Sequence, residues 1–162
     1  MRYNTIRQLD IANGPGARIS IFCQGCTRCC VNCFNPETWD FEGGKEFTEQ
    51  TMELLIELAK PDYISGLSVL GGEPMHPKNR EDVIKLIRRF KEAYPNKTVW
   101  LWTGYLIEDI FEDLIDSGID VIVDGQFVEE LKDLRLKYRG SSNQRVIDLK
   151  ETIRTGDIKL II

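Results

Sequence analysis

The chain has 162 residues, of which 42% are hydrophobic, and a formal net charge of -5. This length is enough for one core but too short for two ordinary domains, so we predict a single domain spanning residues 1–162. An acidic chain lacks the basic surface that nucleic acid attracts, which argues against a nucleic-acid partner. No segment approaches the roughly 20 apolar residues that span a bilayer, and no secretion signal opens the chain. We therefore expect no membrane partner and a cytoplasmic location.

Strands and helices are predicted to alternate along the chain. Thr48 is suited to cap a helix that Pro61 would stop, and continuous apolar runs predict buried strands. The predicted strands are 18–23, 67–70, 98–102 and 119–123, the predicted helices are 48–60, 79–92 and 107–118, and weaker strand patterns lie at 144–149 and 157–162. This alternation predicts an α/β fold with a mostly parallel sheet and helices outside.

Loops that follow parallel strands meet at one edge of a sheet, where ligands bind. In this chain those loops are the cysteine-rich segment, GGEP (71–74), TGY (103–105) and DGQF (124–127). We therefore expect the four segments to share one mouth.

All five cysteines lie within one segment, FCQGCTRCCVNCFN, and none occurs elsewhere. A disulfide framework would spread its cysteines, so this clustering indicates metal or redox chemistry in a reducing compartment. Two spacings compete. The first, C-x2-C-x2-C-x3-C, uses Cys23, Cys26, Cys29 and Cys33 and is typical of bacterial ferredoxins, but in two-cluster ferredoxins it needs a second cysteine run that the chain lacks. The second, C-x3-C-x2-C, needs only three ligands, and a structural four-cysteine zinc site is a further alternative.

The C-x3-C-x2-C spacing resembles that of the radical S-adenosylmethionine (SAM) superfamily. The resemblance implies a 4Fe-4S cluster held by Cys26, Cys30 and Cys33, with one iron left open for SAM, and a partial, open β/α barrel of the radical SAM type. It also implies that no catalytic residue is needed beyond these cluster ligands.

The segment GGEP supports the same resemblance. Radical SAM proteins carry a GGE segment after their second strand that contacts the amino group of SAM. The implied SAM-binding residues are Asn32, Cys33, Phe34, Gly71, Gly72 and Glu73.

Further motifs resemble one family within the superfamily, the activating proteins of anaerobic ribonucleoside-triphosphate reductase. The matching segments are NGPGAR (13–18), QGC (24–26), CFNPETW (33–39), GGEP with HP (76–77), WTGY (102–105), VDGQF (123–127) and RGSSNQR (139–145). Chain length and the spacing of these motifs are similar as well.

That resemblance implies an oxidoreductase that cleaves SAM reductively to a 5'-deoxyadenosyl radical and so generates a glycyl radical on the reductase. Its partners would be the glycyl-radical subunit of anaerobic ribonucleoside-triphosphate reductase and an external one-electron donor such as reduced flavodoxin or ferredoxin. Whether the protein forms a homodimer is left open by the sequence. The alternatives are an activase of another glycyl-radical enzyme, a radical SAM enzyme with a small-molecule substrate, and a non-catalytic iron-sulfur electron carrier. A zinc-binding interaction module is the last of them.

Overall fold

A single seven-stranded sheet carries the fold in the computed structural model, which describes residues 1–162. The strands are β1 (Arg2–Asp10), β2 (Ala17–Cys23), β3 (Lys45–Glu46), β4 (Ile64–Gly71), β5 (Thr98–Trp102), β6 (Val121–Asp124) and β7 (Arg145–Asp148). The helices are α1 (Glu49–Leu58), α2 (Arg80–Ala93), α3 (Ile107–Leu114) and α4 (Leu149–Thr155). None of these helices is both long enough and apolar enough to cross a membrane.

The sheet is mixed and open, so the predicted partial β/α barrel is wrong. The strand order is β3-β1-β2-β4-β5-β6-β7, and only the four central strands β2, β4, β5 and β6 run parallel. Strand β1 pairs antiparallel with both β2 and β3, and β7 pairs antiparallel with β6. The prediction of a mostly parallel sheet therefore holds for the centre alone, while the α/β class is correct.

The error has a physical cause in the polar composition of β1. Its sequence, RYNTIRQLD, has no continuous apolar run, and most of its residues are partly or fully exposed. The strand forms because its backbone pairs with buried β2, with register partners such as Ile6 and Ile21. Tertiary pairing of this kind overrides local propensity, so apolar patterning missed the strand.

The other elements follow the predicted pattern closely. Thr48 caps α1 through a capping box with Thr51, and β5 has the predicted bounds of 98–102. The predicted strand at 144–149 is the short β7, directly followed by the unpredicted α4. The predicted strand at 157–162 is wrong, since that segment makes only an isolated bridge between Leu160 and Ile147.

The two faces of the sheet are covered differently. One face packs under α1, α2 and α3 in a core of 23 buried residues, which includes Ile21, Cys23 and Leu101. The other face carries a cluster of four buried residues around Trp100, with no helical member, and the loop residue Tyr138 packs on it. Because side chains alternate along a strand, Phe22 lies on the second face while Cys23 lies on the first.

Candidate functional site

One cavity of about 450 Å³ opens where the central strands end. Its wall includes residues from each of the four loops that follow those strands: the cysteine segment, GGEP, WTGY and VDGQF. The prediction that these loops share one mouth is confirmed. The floor is formed by side chains from the second face of the sheet, Phe22, Leu70 and Trp102.

The five cysteines occupy three different environments. Cys26, Cys30 and Cys33 are partly buried and line the cavity. Cys29 is exposed and Cys23 is fully buried in the core under the helices, and neither lines the cavity. The structure therefore brings together the three cysteines of the C-x3-C-x2-C spacing and separates the ferredoxin set.

Burial also distinguishes the thiols chemically. Complete burial, with a smaller contribution from nearby Glu73, raises the pKa of the Cys23 thiol to about 12. A thiolate is the ligand form of cysteine, so Cys23 is poorly suited to bind iron. Burial raises the pKa of Cys26 as well, although that thiol is only half-buried and faces the cavity.

The cysteine loop is fixed mainly through its backbone. The Gly25 amide donates to the Thr38 carbonyl at 2.6 Å, and the Cys26 amide donates to the Trp39 carbonyl at 3.1 Å. Between these anchors and Cys33 the chain turns sharply, with left-handed backbone at Cys29 (φ 47°) and Asn32 (φ 56°). Such a contorted loop lets several side chains converge on one ligand.

Gly72 and Glu73 of GGEP bind the start of the cysteine loop through their backbone amides. The Gly72 amide donates to the Cys23 carbonyl at 2.9 Å, and the Glu73 amide donates to the Gly25 carbonyl at 2.8 Å. A Cβ atom added to Gly72 would lie 2.6 Å from the Gly25 carbonyl oxygen. The close backbone approach that glycine permits here is thus an approach to the cysteine loop.

Glu73 points its carboxylate into the wall between two loops and is only 2% exposed. It accepts hydrogen bonds from the Thr103 hydroxyl at 2.7 Å and from the backbone amides of Gly104 and Met75 at 2.6 and 2.9 Å. Burial raises its pKa, against the lowering effect of these hydrogen bonds. An added cation would stabilise this carboxylate.

Arg28 projects from the cysteine loop toward Glu73. Its Nε atom lies 3.6 Å from Glu73 Oε1, and its guanidinium lies 4.4 Å from the ring centroid of Tyr105. The Nε–H group is buried without a hydrogen-bond acceptor. Since carboxylate oxygens accept about four hydrogen bonds in all, one acceptor position of Glu73 is left for a ligand or for Arg28.

Most of the buried side-chain atoms without a hydrogen-bond partner belong to residues that line the cavity. Of five buried side-chain polar atoms without a hydrogen-bond partner, three are N–H donors of residues that line the cavity. They belong to Arg28, Trp39 and Arg139. Because an unpaired buried donor costs about 1–3 kcal/mol, the cavity is suited to a ligand rich in hydrogen-bond acceptors.

The motif RGSSNQR contributes Arg139, Gly140 and Gln144 to the cavity wall. The Gln144 side chain accepts from the Gly140 amide at 2.8 Å and donates to the Gly125 carbonyl at 2.9 Å. The Asn143 side chain donates to the Gln126 carbonyl at 2.8 Å. These bonds tie VDGQF to RGSSNQR across residues 128–138, so the two motifs form one hydrogen-bonded unit.

A buried ion pair completes that unit. Asp124 is fully buried and accepts from the Arg145 Nε atom at 2.9 Å and from the Ile107 amide at 2.9 Å. Trp102 donates its ring N–H to the Tyr138 carbonyl at 2.7 Å. The conspicuous residues of WTGY, VDGQF and RGSSNQR therefore shape the cavity rather than react in it.

Two predicted or noted residues lie apart from the cavity. Asn32 is exposed and does not line it, unlike its neighbours Cys33 and Phe34. His76 stacks on Phe41 with ring centroids 4.7 Å apart, and its Nδ1 accepts from the Lys78 amide. The sequence analysis gave no role to Arg28, Trp39 or Arg139, although Trp39 and Arg139 lie within the CFNPETW and RGSSNQR segments and Arg28 lies between the cysteines.

The donor set suits a cluster better than a single ion. No group of three or more His, Cys, Asp or Glu side chains converges closely enough to hold one metal ion. Cys26, Cys30 and Cys33 all line the cavity, and the protein ligands of an iron-sulfur cluster bind different iron atoms rather than one ion. The residues present therefore fit an iron-sulfur cluster.

Comparison with known proteins agrees with this donor set. A family model described as "4Fe-4S single cluster domain" matches residues 12–147, which includes all five cysteines. The match defines the class of protein as one with a single 4Fe-4S cluster domain.

Curated relatives define the family more narrowly. A protein of Enterobacteria phage T4 is 40% identical over 146 residues, covering 90% of this chain and 93% of its own. A relative from Escherichia coli is 39% identical over 93% of this chain and 100% of its own length. A relative from Vibrio cholerae is also 39% identical, over 89% of this chain and 96% of its own length. All three are named anaerobic ribonucleoside-triphosphate reductase-activating protein. The chain belongs to this family.

Proposed function

We propose that this protein activates anaerobic ribonucleoside-triphosphate reductase by generating a glycyl radical on it through reductive cleavage of SAM. The observation that carries the proposal is the segregation of the cysteines: Cys26, Cys30 and Cys33 line the cavity that GGEP borders, while Cys23 and Cys29 do not. The names of the relatives supply the identity of the partner.

Cys26, Cys30 and Cys33 would hold the 4Fe-4S cluster through their thiolates. With only three protein ligands, one coordination position would be free for SAM, just as an open position distinguishes catalytic from structural zinc sites. When bound, the cluster supplies one-electron reduction of SAM, which yields methionine and a 5'-deoxyadenosyl radical. An external donor such as reduced flavodoxin or ferredoxin would provide the electron.

Residues of the cavity would bind and orient SAM. Glu73 has one acceptor position left for the SAM amino group, and that cation would stabilise its buried carboxylate. Arg28, Trp39 and Arg139 line the cavity and carry N–H donors, which would suit the carboxylate, hydroxyl and adenine acceptors of SAM. The backbone of Cys33 and Phe34 would lie against the same ligand, whereas Asn32, which does not line the cavity, would not.

The apolar floor would keep water and stray hydrogen donors away from the radical. Phe22, Leu70 and Trp102 supply this floor, and Phe34 packs on Phe127 at the rim with ring centroids 5.1 Å apart. Hydrogen abstraction needs the reacting atoms roughly 3–3.5 Å apart, so a glycine of the reductase has to enter the mouth. Its radical is stabilised by delocalisation over the flanking amides. We expect this reaction in the cytoplasm.

The test is anaerobic reconstitution with iron and sulfide, followed by reduction and assay of 5'-deoxyadenosine released from SAM. The proposal predicts brown 4Fe-4S absorption, a changed electron paramagnetic resonance (EPR) spectrum on SAM addition, and 5'-deoxyadenosine release. A cluster that never cleaves SAM would indicate an electron carrier, and zinc without iron would indicate an interaction module. Cleavage coupled to a small molecule without the reductase would indicate a different radical SAM enzyme.

A further inference from the structure

One surface segment departs strongly from the charge of the molecule as a whole. Residues Lys132 to Arg139, with the sequence KDLRLKYR, contain four basic residues and one acidic residue. The segment therefore carries a net charge of +3 in a chain whose net charge is -5. It also borders the cavity, since Asp133, Leu134, Leu136, Tyr138 and Arg139 are among the lining residues.

The base of this segment is held rigidly. Tyr138 accepts the ring N–H of Trp102 through its carbonyl, and the Arg139 guanidinium donates to the Gln144 carbonyl at 2.6 Å. At the other end the Lys132 amide donates to the Glu129 carbonyl at 3.1 Å, and residues Lys132 and Ser141 form a bridge. The segment is thus presented in a fixed place rather than left as a loose loop.

The exposed part of the segment has few partners of its own. Lys132 and Lys137 form no ion pair, although the Lys132 ammonium lies 5.5 Å from the Phe34 ring centroid. Arg135 pairs only with its neighbour Asp133. Leu134 is 83% exposed, the most exposed large apolar side chain in the protein. Two lysines without an ion-pair partner therefore flank a largely exposed leucine in this segment.

SAM does not account for this positive charge. It carries a sulfonium, an ammonium and a carboxylate, and is therefore a net cation. The cavity wall already offers Arg28 and Arg139 to the one carboxylate. The lysines of the segment are outside the cavity lining, so their charge is available to a second, anionic partner.

We propose that Lys132–Arg139 is the docking surface for an acidic, extended stretch of the reductase that carries its glycine into the cavity. This inference rests on the proposed function. Complementary charge steers association and fixes register, and Leu134 offers an apolar anchor at the mouth. The position of the segment favours the reductase as partner, because a peptide that binds between the segment and the cysteine loop enters the cavity.

An acidic electron-donor protein is the competing occupant. An electron crosses a gap between proteins, whereas hydrogen abstraction needs contact between the reacting atoms. Because Leu134 and Leu136 line the cavity, a peptide that binds this surface is directed into the cavity and not onto the outer side of the cysteine loop. The geometry therefore favours the reductase.

The test compares two double variants of the full-length, reconstituted protein with the same change in charge. Lys132→Glu with Lys137→Glu reverses the docking lysines, and Lys60→Glu with Lys85→Glu reverses two exposed lysines after α1 and on α2. Dithionite serves as reductant, so no donor protein has to dock. The glycyl radical on the reductase is measured by EPR against reductase concentration, and 5'-deoxyadenosine release is measured without reductase.

The docking variant is expected to need roughly tenfold more reductase for half-maximal radical, while its reductase-independent SAM cleavage matches that of the control variant. The defect should shrink when the wild-type and variant proteins are compared in about 1 M salt, where charges are screened within about 3 Å. Leu134→Ser should weaken coupling at low and high salt alike.

Three results would overturn the inference. The docking variant could behave like the control variant, it could lose SAM cleavage without reductase, or its defect could occur only when flavodoxin replaces dithionite. The second result would assign the segment to SAM binding and the third to the electron donor. Failure of the proposed function itself is distinguishable, since then the wild-type protein would produce no glycyl radical.

Discussion

The two faces of the sheet share the same strands, but one packs an apolar core and the other borders a cavity. Under the helices, 23 buried residues form a continuous apolar core that contains Cys23. On the other face, loops cover a small cluster and leave a cavity with three unpaired N–H donors and three half-buried thiols. Adjacent residues Phe22 and Cys23 fall on opposite sides of this division.

Stability therefore comes mainly from the helix-covered face, and the candidate site lies on the loop-covered face. Unpaired buried donors and left-handed backbone at Cys29 and Asn32 each cost free energy. The donors belong to residues that line the cavity, and Cys29 and Asn32 lie in the loop beside it. The helix-covered core offsets those costs. Variants on the two faces should therefore fail in different ways.

Removal of a cavity cysteine should have the largest effect. Cys26→Ala, Cys30→Ala or Cys33→Ala should each abolish the stable cluster, because the thiolates are its protein ligands. Iron and labile sulfide analysis, with the visible absorption spectrum, measures the loss. Cys29→Ala is a matched control next to Cys30, and both it and Cys23→Ala should keep the cluster. Loss of the cluster in these controls, with a retained cluster in Cys30→Ala, would instead support the ferredoxin spacing of the ligands.

Truncation of a core leucine should damage stability instead. Leu55→Ala on α1 removes a fully buried side chain and should lower the free energy of unfolding by about 2–5 kcal/mol. Leu134→Ala, on the exposed rim of the cavity, should change it by less than about 0.5 kcal/mol. Urea denaturation under anaerobic conditions measures both. Equal losses would contradict the division between the faces.

A methyl group on Gly72 tests the contact between GGEP and the cysteine loop. Its Cβ would meet the Gly25 and Thr38 carbonyl oxygens at 2.6 and 2.8 Å, so Gly72→Ala should cost roughly 1–3 kcal/mol and lower cluster content. Gly156→Ala is the control: it is strained at φ +80° but meets nothing within 4 Å. Unchanged cluster content in Gly72→Ala would separate the glycines from the cysteine loop.

Much of the site was predictable because its signals are local. The cysteine spacing, the GGEP turn and the alternation of apolar strands with helices are all short-range patterns, and they correctly placed four loops at one mouth. The helix at α1 was predictable for the same reason, since Thr48 caps it directly.

The remainder depended on long-range pairing. Strand β1 is held by β2 and by the two residues of β3, and nothing in its own polar sequence marks it as a strand. The partial barrel was inferred from the superfamily resemblance, and the antiparallel strands β1 and β7 leave the sheet open instead. Arg28 and Arg139 likewise gain their importance only from what surrounds them in space.

The origin of one hydrogen atom tests the central claim most directly. A reductase grown with glycine deuterated at the alpha carbon is mixed with the reduced, reconstituted protein and SAM, and the 5'-deoxyadenosine is analysed by mass spectrometry. A single deuterium is expected to pass from the labelled reductase into the product, and none from deuterated solvent with unlabelled reductase. Deuterium that never enters the product, or that enters it from solvent or a small metabolite, would show that the glycine of the reductase is not the hydrogen donor.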